Sequence, residues 1–216
     1  MAPRRVTLTF DNGPTPAITE QVLEILDREG IRSTFFVIGQ KLRTPASVAL
    51  ARDAHAAGHW IGNHTFTHSV ALGDRPDADY AAREIGDTQD RIGDLSHPDK
   101  LFRPYGNSGL VGRHLLSRAA ISYLLTHQFR TIIWNSVPGD WKDPEGWVER
   151  CIAQIEAQDW SVVVLHDIER GCLQRLPELL QRLADVGVIY EQDYPEDVTL
   201  TRAGQIVSMQ PSYIVD

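Results

Sequence analysis

Five short islands hold side chains able to do hydrolytic chemistry. They are Asp11 before Asn12-Gly13-Pro14, His64 and His68 within His64-Thr65-Phe66-Thr67-His68, Arg103 within Phe102-Arg103-Pro104-Tyr105-Gly106, Asp140-Trp141 after Gly139, and His166-Asp167 after Leu165. Asp11 and Asp140 offer two carboxylates, His64 and His68 a histidine pair, Arg103 a cation and His166 a third histidine, the parts of a metal-assisted hydrolase. Histidines four apart on a helical turn share a face and can grip one cation. The competing reading is two polar loop residues, since the chain has eight histidines. Asn63-His64 emerging from a strand pattern favours the ligand pair. Asp11 alone reads as a turn residue beside Asn, Gly and Pro; among the other islands it becomes a candidate general base for an attacking water. Arg103 on a short apolar strand is either a rim residue or, if buried, in need of a partner, which a salt bridge to Asp11 would supply. His166 ends a run of valines and could protonate a leaving amine, with Asp140 orienting its ring. Trp141 could wall a sugar ring or simply pack in the core.

These residues need a scaffold that gathers them. Val6 to Phe10 reads as a buried strand ending at Asp11, and Thr15-Pro16 as a helix start, with Ile18, Val22, Ile25 and Leu26 on one face and Gly30 as the stop. Thr34 to Ile38 is the next strand, Thr44-Pro45 opens a helix that Gly58 ends, and His59 to Asn63 is a third strand delivering His64. Tyr80 to Leu95 is helical, with Tyr80, Glu84, Ile85, Thr88, Ile92 and Leu95 in period. Leu101 to Arg103 is a short strand and Leu110 to Ala120 a helix. Tyr123 to Thr126 and Thr131 to Trp134 are strands. A helix from Asp143-Pro144 to Ile155 precedes the buried strand Ser161 to Leu165. Leu173 to Val186 is the last helix, followed by Gly187 and closing strands at Val188 to Tyr190 and Val198 to Thr201. About seven parallel strands with outer helices follow from this alternation, with the candidate residues just beyond strand ends. Only a curled sheet, an α/β barrel, brings those ends to one place.

The 216 residues, 42% hydrophobic, suffice for one domain spanning residues 1–216, without repeats or linkers. A net charge of −8 without long single-sign runs argues against nucleic acid or an anionic membrane as partner. Cys151 and Cys172 read as reduced thiols rather than a disulfide, and the stretch Met1 to Arg5 leaves no room for a targeting segment, so a cytoplasmic protein is expected. No apolar run reaches the roughly 18 residues of a membrane span.

From Val6 to about Leu200 the ordered motifs resemble the polysaccharide deacetylase family, the NodB-homology group, carbohydrate esterase family 4. Thr9-Phe10-Asp11-Asn12-Gly13-Pro14 is similar to that family's T-F-D-D-G-P, and His64 to His68 matches H-[S/T]-x-x-H in full. The resemblance implies a distorted (β/α) barrel that removes acetyl groups from N-acetylated sugars with a divalent metal, usually zinc. It implies Asp11 as base, His166 as acid tuned by Asp140, and Arg103 positioning the base. The Tyr105 backbone N–H would help hold the oxyanion, and Trp141 and Leu165 would shape the acetyl pocket. His64, His68 and Asn12 would be the metal ligands. Two departures stand out. Asn12 replaces the family's second aspartate, so metal binding would be weak, although similar variants are tolerated in some peptidoglycan-type relatives. Arg103-Pro104-Tyr105-Gly106 is one residue shorter than R-x-P-Y-G. The first reading is thus an N-acetyl sugar deacetylase. The alternatives are a hydrolase of small amides, formamides or cyclic amides, and a non-catalytic glycan-binding domain. An acetate-release screen beside a small-amide panel separates them.

Overall fold

A computed structural model describes residues 3–215. Met1 and Ala2, which begin the stretch expected to lack a targeting segment, lie outside the described residues. The elements run β1 (Arg5–Asp11), α1 (Ile18–Arg28), β2 (Thr34–Val37), α2 (Pro45–Ala56) and β3 (Trp60–Asn63). Next come α3 (Ala78–Ala82), a π-turn (Arg83–Asp87), α4 (Thr88–Ile92), β4 (Leu101–Phe102), β5 (Leu116–Ser117), α5 (Arg118–Thr126) and β6 (Arg130–Ile132). The chain continues through α6 (Trp147–Glu156), β7 (Trp160–His166), α7 (Leu176–Val186), β8 (Ile189–Tyr190), β9 (Thr199–Arg202), β10 (Gln205–Ile206) and β11 (Ile214–Val215).

The main sheet follows the order β10-β9-β6-β4-β3-β2-β1-β7 and is parallel from β6 to β7. β9 joins β6 antiparallel, and β8 lies parallel to the start of β1. The sheet curls until its ends meet. Ser136, in the segment after β6, bridges Val163 of β7, with Val164 N donating to Ser136 O at 3.0 Å and Ser136 N to Val162 O at 3.2 Å. The result is a distorted (β/α) barrel. β5 and β11 form a separate two-stranded ladder.

Alternation on β1 sorts its side chains. Val6, Leu8 and Phe10 pack with Val22, Ile25 and Leu26 of α1 and Leu179, Leu180 and Leu183 of α7 in the helix-facing core. Thr9 and Asp11 face inward, where Arg103 reaches both. Both α1 and α7 are stopped by glycines in the left-handed region, Gly30 at φ 65° and Gly187 at φ 70°. Thr44 caps α2 by accepting the Ser47 N–H at 3.1 Å.

Several expected boundaries are corrected. Leu110 to Leu115 is irregular chain with bends and a turn rather than helix: Leu110 is 65% exposed while Leu115 is fully buried, so its apolar residues share no helical face. The helix starts at Arg118, capped by the Ser117 side chain on Ala120 N, and runs through Tyr123 to Thr126, which are therefore not a strand. Ala120, Ile121 and Leu124 form its buried face, a periodicity that a four-residue window does not display. Thr15-Pro16 is a turn, because Thr15 O accepts from both Ile18 N and Thr19 N, and α1 begins at Ile18. Asp143 Oδ1 accepts the amides of Glu145 and Gly146, closing a local turn that delays α6 to Trp147. The last long helix begins at Leu176 rather than Leu173. Cys151 and Cys172 are both free and buried. Among the described residues no helix is long and apolar enough to cross a membrane.

Candidate active site

The carboxyl ends of the parallel strands open into a pocket of about 200 Å³. Its lining includes Asp11, Asn12, His64, His68, Tyr105, Trp141 and His166, so side chains from five separate stretches of the chain share one wall.

Asp11 ends β1 and is buried. Its Oδ1 accepts from Arg103 Nη1 at 2.8 Å, and the same nitrogen donates to Thr9 Oγ1 at 2.6 Å. Arg103 is fully buried, its guanidinium 4.1 Å from the centre of the Phe36 ring. The Asp11 charge is thus matched inside the barrel rather than by solvent.

His64 follows β3 and donates Nδ1–H to the Arg103 carbonyl at 2.9 Å, because a carbonyl can only accept. Its Nε2 therefore presents a lone pair, 3.5 Å from Asp11 Oδ2. Burial holds the His64 pKa below the ordinary value. Burial, then the neighbouring His64, pushes His68 down to about 2. The His64 and His68 rings lie 4.7 Å apart, centre to centre, and the Tyr105 ring covers His68 at 4.2 Å. Asn12 stands at φ 77°, with Oδ1 buried and without a hydrogen-bond partner.

Two neutral imidazoles, an orphaned amide oxygen and a lone pair facing a carboxylate form a pocket that a cation would complete, so the residues fit a divalent ion. The donor set is poor in charge: among the described residues no group of three or more His, Cys, Asp or Glu stands ready to hold a metal.

Across the pocket, His166 ends β7. Asp140 is fully buried and grips it twice, Oδ2 accepting the His166 backbone N–H at 2.8 Å and Oδ1 meeting Nδ1 at 2.8 Å. Burial opposes a charge on the ring, but the bond and charge of Asp140 outweigh it, and the His166 pKa is raised. Trp141 meets His166 edge-on at 4.4 Å. Asp11 and His166 are register partners across the β1–β7 pair.

Leu165 does not line the pocket. It points into the helix-facing core, and Val164 takes the pocket position, as alternation along β7 requires once His166 faces inward. Two further acidic residues escape a reading by motif. Asp167 is fully buried, accepts from Thr19 Oγ1 at 2.6 Å and leaves Oδ1 unpartnered. Burial raises its pKa to about 7, against the Thr19 bond and the Lys41 charge. Its carboxylate presses on Gly13, where a Cβ would overlap it, so the turn after Asp11 and Asn12 admits only glycine. Glu84 also lies in the interior, beside the histidine loop. The available signal for Glu84 was a charged residue in period with a buried helix face.

A family model for polysaccharide deacetylase matches residues 1–121. The chain is 31% identical over 186 residues to the peptidoglycan-N-acetylmuramic acid deacetylase PdaC of Bacillus subtilis, covering 84% of this chain and 36% of that protein. It is 32% identical over 171 residues to a chitooligosaccharide deacetylase of Rhizobium leguminosarum bv. trifolii, covering 78% and 73% of the two chains. A family 4 acetyl xylan esterase from Clostridium thermocellum, solved with a cobalt ion, superposes with a TM-score of 0.70 at 25% identity over 88% of each chain. The family match runs over more than half of the sequence, and the two named relatives exceed 30% identity over most of it: the chain belongs to the polysaccharide deacetylase family.

Proposed function

We propose that residues 1–216 act as one catalytic domain that removes acetyl groups from an N-acetylated sugar or oligosaccharide. The observation that carries this reading is the register pairing of Asp11 with His166, each held by its own buried partner on one pocket. Asp11 takes a proton from water as the water oxygen bonds to the acetyl carbon. Arg103 orients the carboxylate for that task. The Tyr105 backbone N–H supports the developing oxyanion. As the C–N bond breaks, His166, protonated and fixed by Asp140, gives its proton to the departing amine, leaving acetate and a free amino sugar. Trp141 and Val164 bound the space for the acetyl group. His64, His68 and Asn12 would hold a divalent ion such as zinc, and its contribution is Lewis acidity toward the carbonyl. The names of the bacillar and rhizobial relatives support N-acetylated glycans as the substrate class.

Acetate release from chitooligosaccharides and from N-acetylated peptidoglycan fragments, run beside a panel of small amides and formamides, tests this. Turnover of a glycan that His166→Ala slows by roughly 10²–10⁴-fold is expected. Turnover of small amides alone moves the reading to another substrate class. Asn12 favours a second reading, a glycan-binding domain without catalysis, because it removes a charge from the ligand set. Sugar binding with no turnover on either panel supports it.

A further inference from the structure

We propose that Glu84 is a positioning residue that sets the His64–His68 loop in the geometry the pocket needs. This builds on the reading of that loop as part of a deacetylase site. Glu84 is 3% exposed. Its Oε2 accepts the backbone N–H of Phe66 at 3.0 Å and of Thr67 at 2.9 Å, and its Oε1 accepts from Thr67 Oγ1 at 2.8 Å. The two amides immediately precede His68. One buried carboxylate thus ties down the stretch that aims the second imidazole.

The helix carrying Glu84 is shaped for this. The π-turn Arg83–Asp87 interrupts the run from α3 to α4, and such turns recur at functional sites. Beside Glu84, the Ile85 carbonyl accepts from Asn63 Nδ2 at 2.8 Å, while Asn63 Oδ1 accepts the Thr65 N–H at 3.1 Å. The opposite side of the loop is pinned by Gly39 N on Thr65 O and Gln40 N on Phe66 O, each at 3.0 Å. Thr65 at φ 64° and His68 at φ 53° occupy the left-handed region, which side-chain-bearing residues keep only when their surroundings over-determine them. Glu84 supplies three of those constraints at the point where the chain turns into His68.

Glu84→Gln keeps the shape of the side chain but leaves one acceptor where three donors converge. Thr67→Val removes the hydroxyl's bonds to Glu84 Oε1 and to Ser69 Oγ, and Ser69→Ala, which removes the second alone, is its control. Four measurements apply to both variants: thermal melting, hydrogen exchange at the Phe66 and Thr67 amides, the imidazole nitrogen spectrum of His68, and kcat and KM on an accepted glycan. For Glu84→Gln we expect a folded protein, faster exchange at both amides and displaced His68 resonances, with His59 beyond the far end of β3 as the unmoved control. The kcat should fall roughly 10–100-fold, the range for lost outer-layer support of a site, with KM nearly constant. Thr67→Val should move the His68 resonances in the same direction by less. Unmoved His68 resonances in folded Glu84→Gln, or an unaltered kcat beside accelerated exchange, overturn the proposal. If Glu84→Gln does not fold, Thr67→Val decides by whether the His68 resonances move further than in Ser69→Ala. An inactive wild type counts against the deacetylase reading, while exchange and the His68 spectrum still judge Glu84.

Discussion

Asn12 gives the side of the pocket proposed to hold a metal an amide oxygen beside two imidazoles, none carrying formal charge. Replacing it with aspartate adds the charge that a dication lacks there. Asn12→Asp is expected to tighten zinc binding roughly tenfold or more, read by calorimetry, since ligand charge tunes affinity for divalent ions. Unchanged affinity removes Asn12 from the ligand set. On the other wall, Asp140 raises the His166 pKa against burial. If His166 is the proposed acid it must be protonated to donate, so activity is expected to fall as pH rises through that pKa. In Asp140→Asn burial prevails, the pKa drops, and the alkaline limb of the pH–rate profile moves to lower pH. A limb that stays in place separates His166 from the acid role.

At the scale of elements, the strand ends were the most legible part of the sequence. Val6–Phe10 and Val162–Leu165 are apolar runs that stop abruptly at Asp11 and His166, and a buried strand followed by a charged residue has few other meanings. The segment from Leu110 to Thr126 was misread because short apolar runs carry no decisive period, and Ser117 as the cap outweighs the pattern before it. The family resemblance implied Leu165 as part of the pocket, although alternation along β7 turns it away. Asp167, singled out only as the neighbour of His166, and Glu84 had no legible role, since their partners, Thr19 at 148 residues' separation and Phe66 at 18, become neighbours only in the folded chain. A sequence displays periodicity along itself; it does not display which buried carboxylate meets which donor.

At the scale of the molecule, Asp167 couples the site to global stability. Its folded pKa of about 7 lies above the ordinary 3.8. Below about pH 4 both folded and unfolded chains hold the proton. Between about 4 and 7 the folded state keeps a proton that the unfolded chain releases, so the stabilisation present in acid is lost as pH rises through the folded value. Asp167→Asn removes this dependence. Denaturant titrations should show the variant gaining on wild type from pH 4 to pH 8 by a few kcal/mol, in order of magnitude. A difference that does not vary with pH overturns the assignment of Asp167 as the titrating group.

The sheet closes on itself at an isolated pairing, Ser136 with Val163, rather than at a ladder between two named strands. Backbone bonds at such a seam part more readily than those inside a ladder. The segment leaving Ser136 leads directly to Asp140, the clamp on His166. We expect loosening at that seam to reach His166, through Asp140, before it reaches Asp11, which is set in β1 between β2 and β7; amide exchange at Ser136 and Val164 no faster than at Asp11 would refute this.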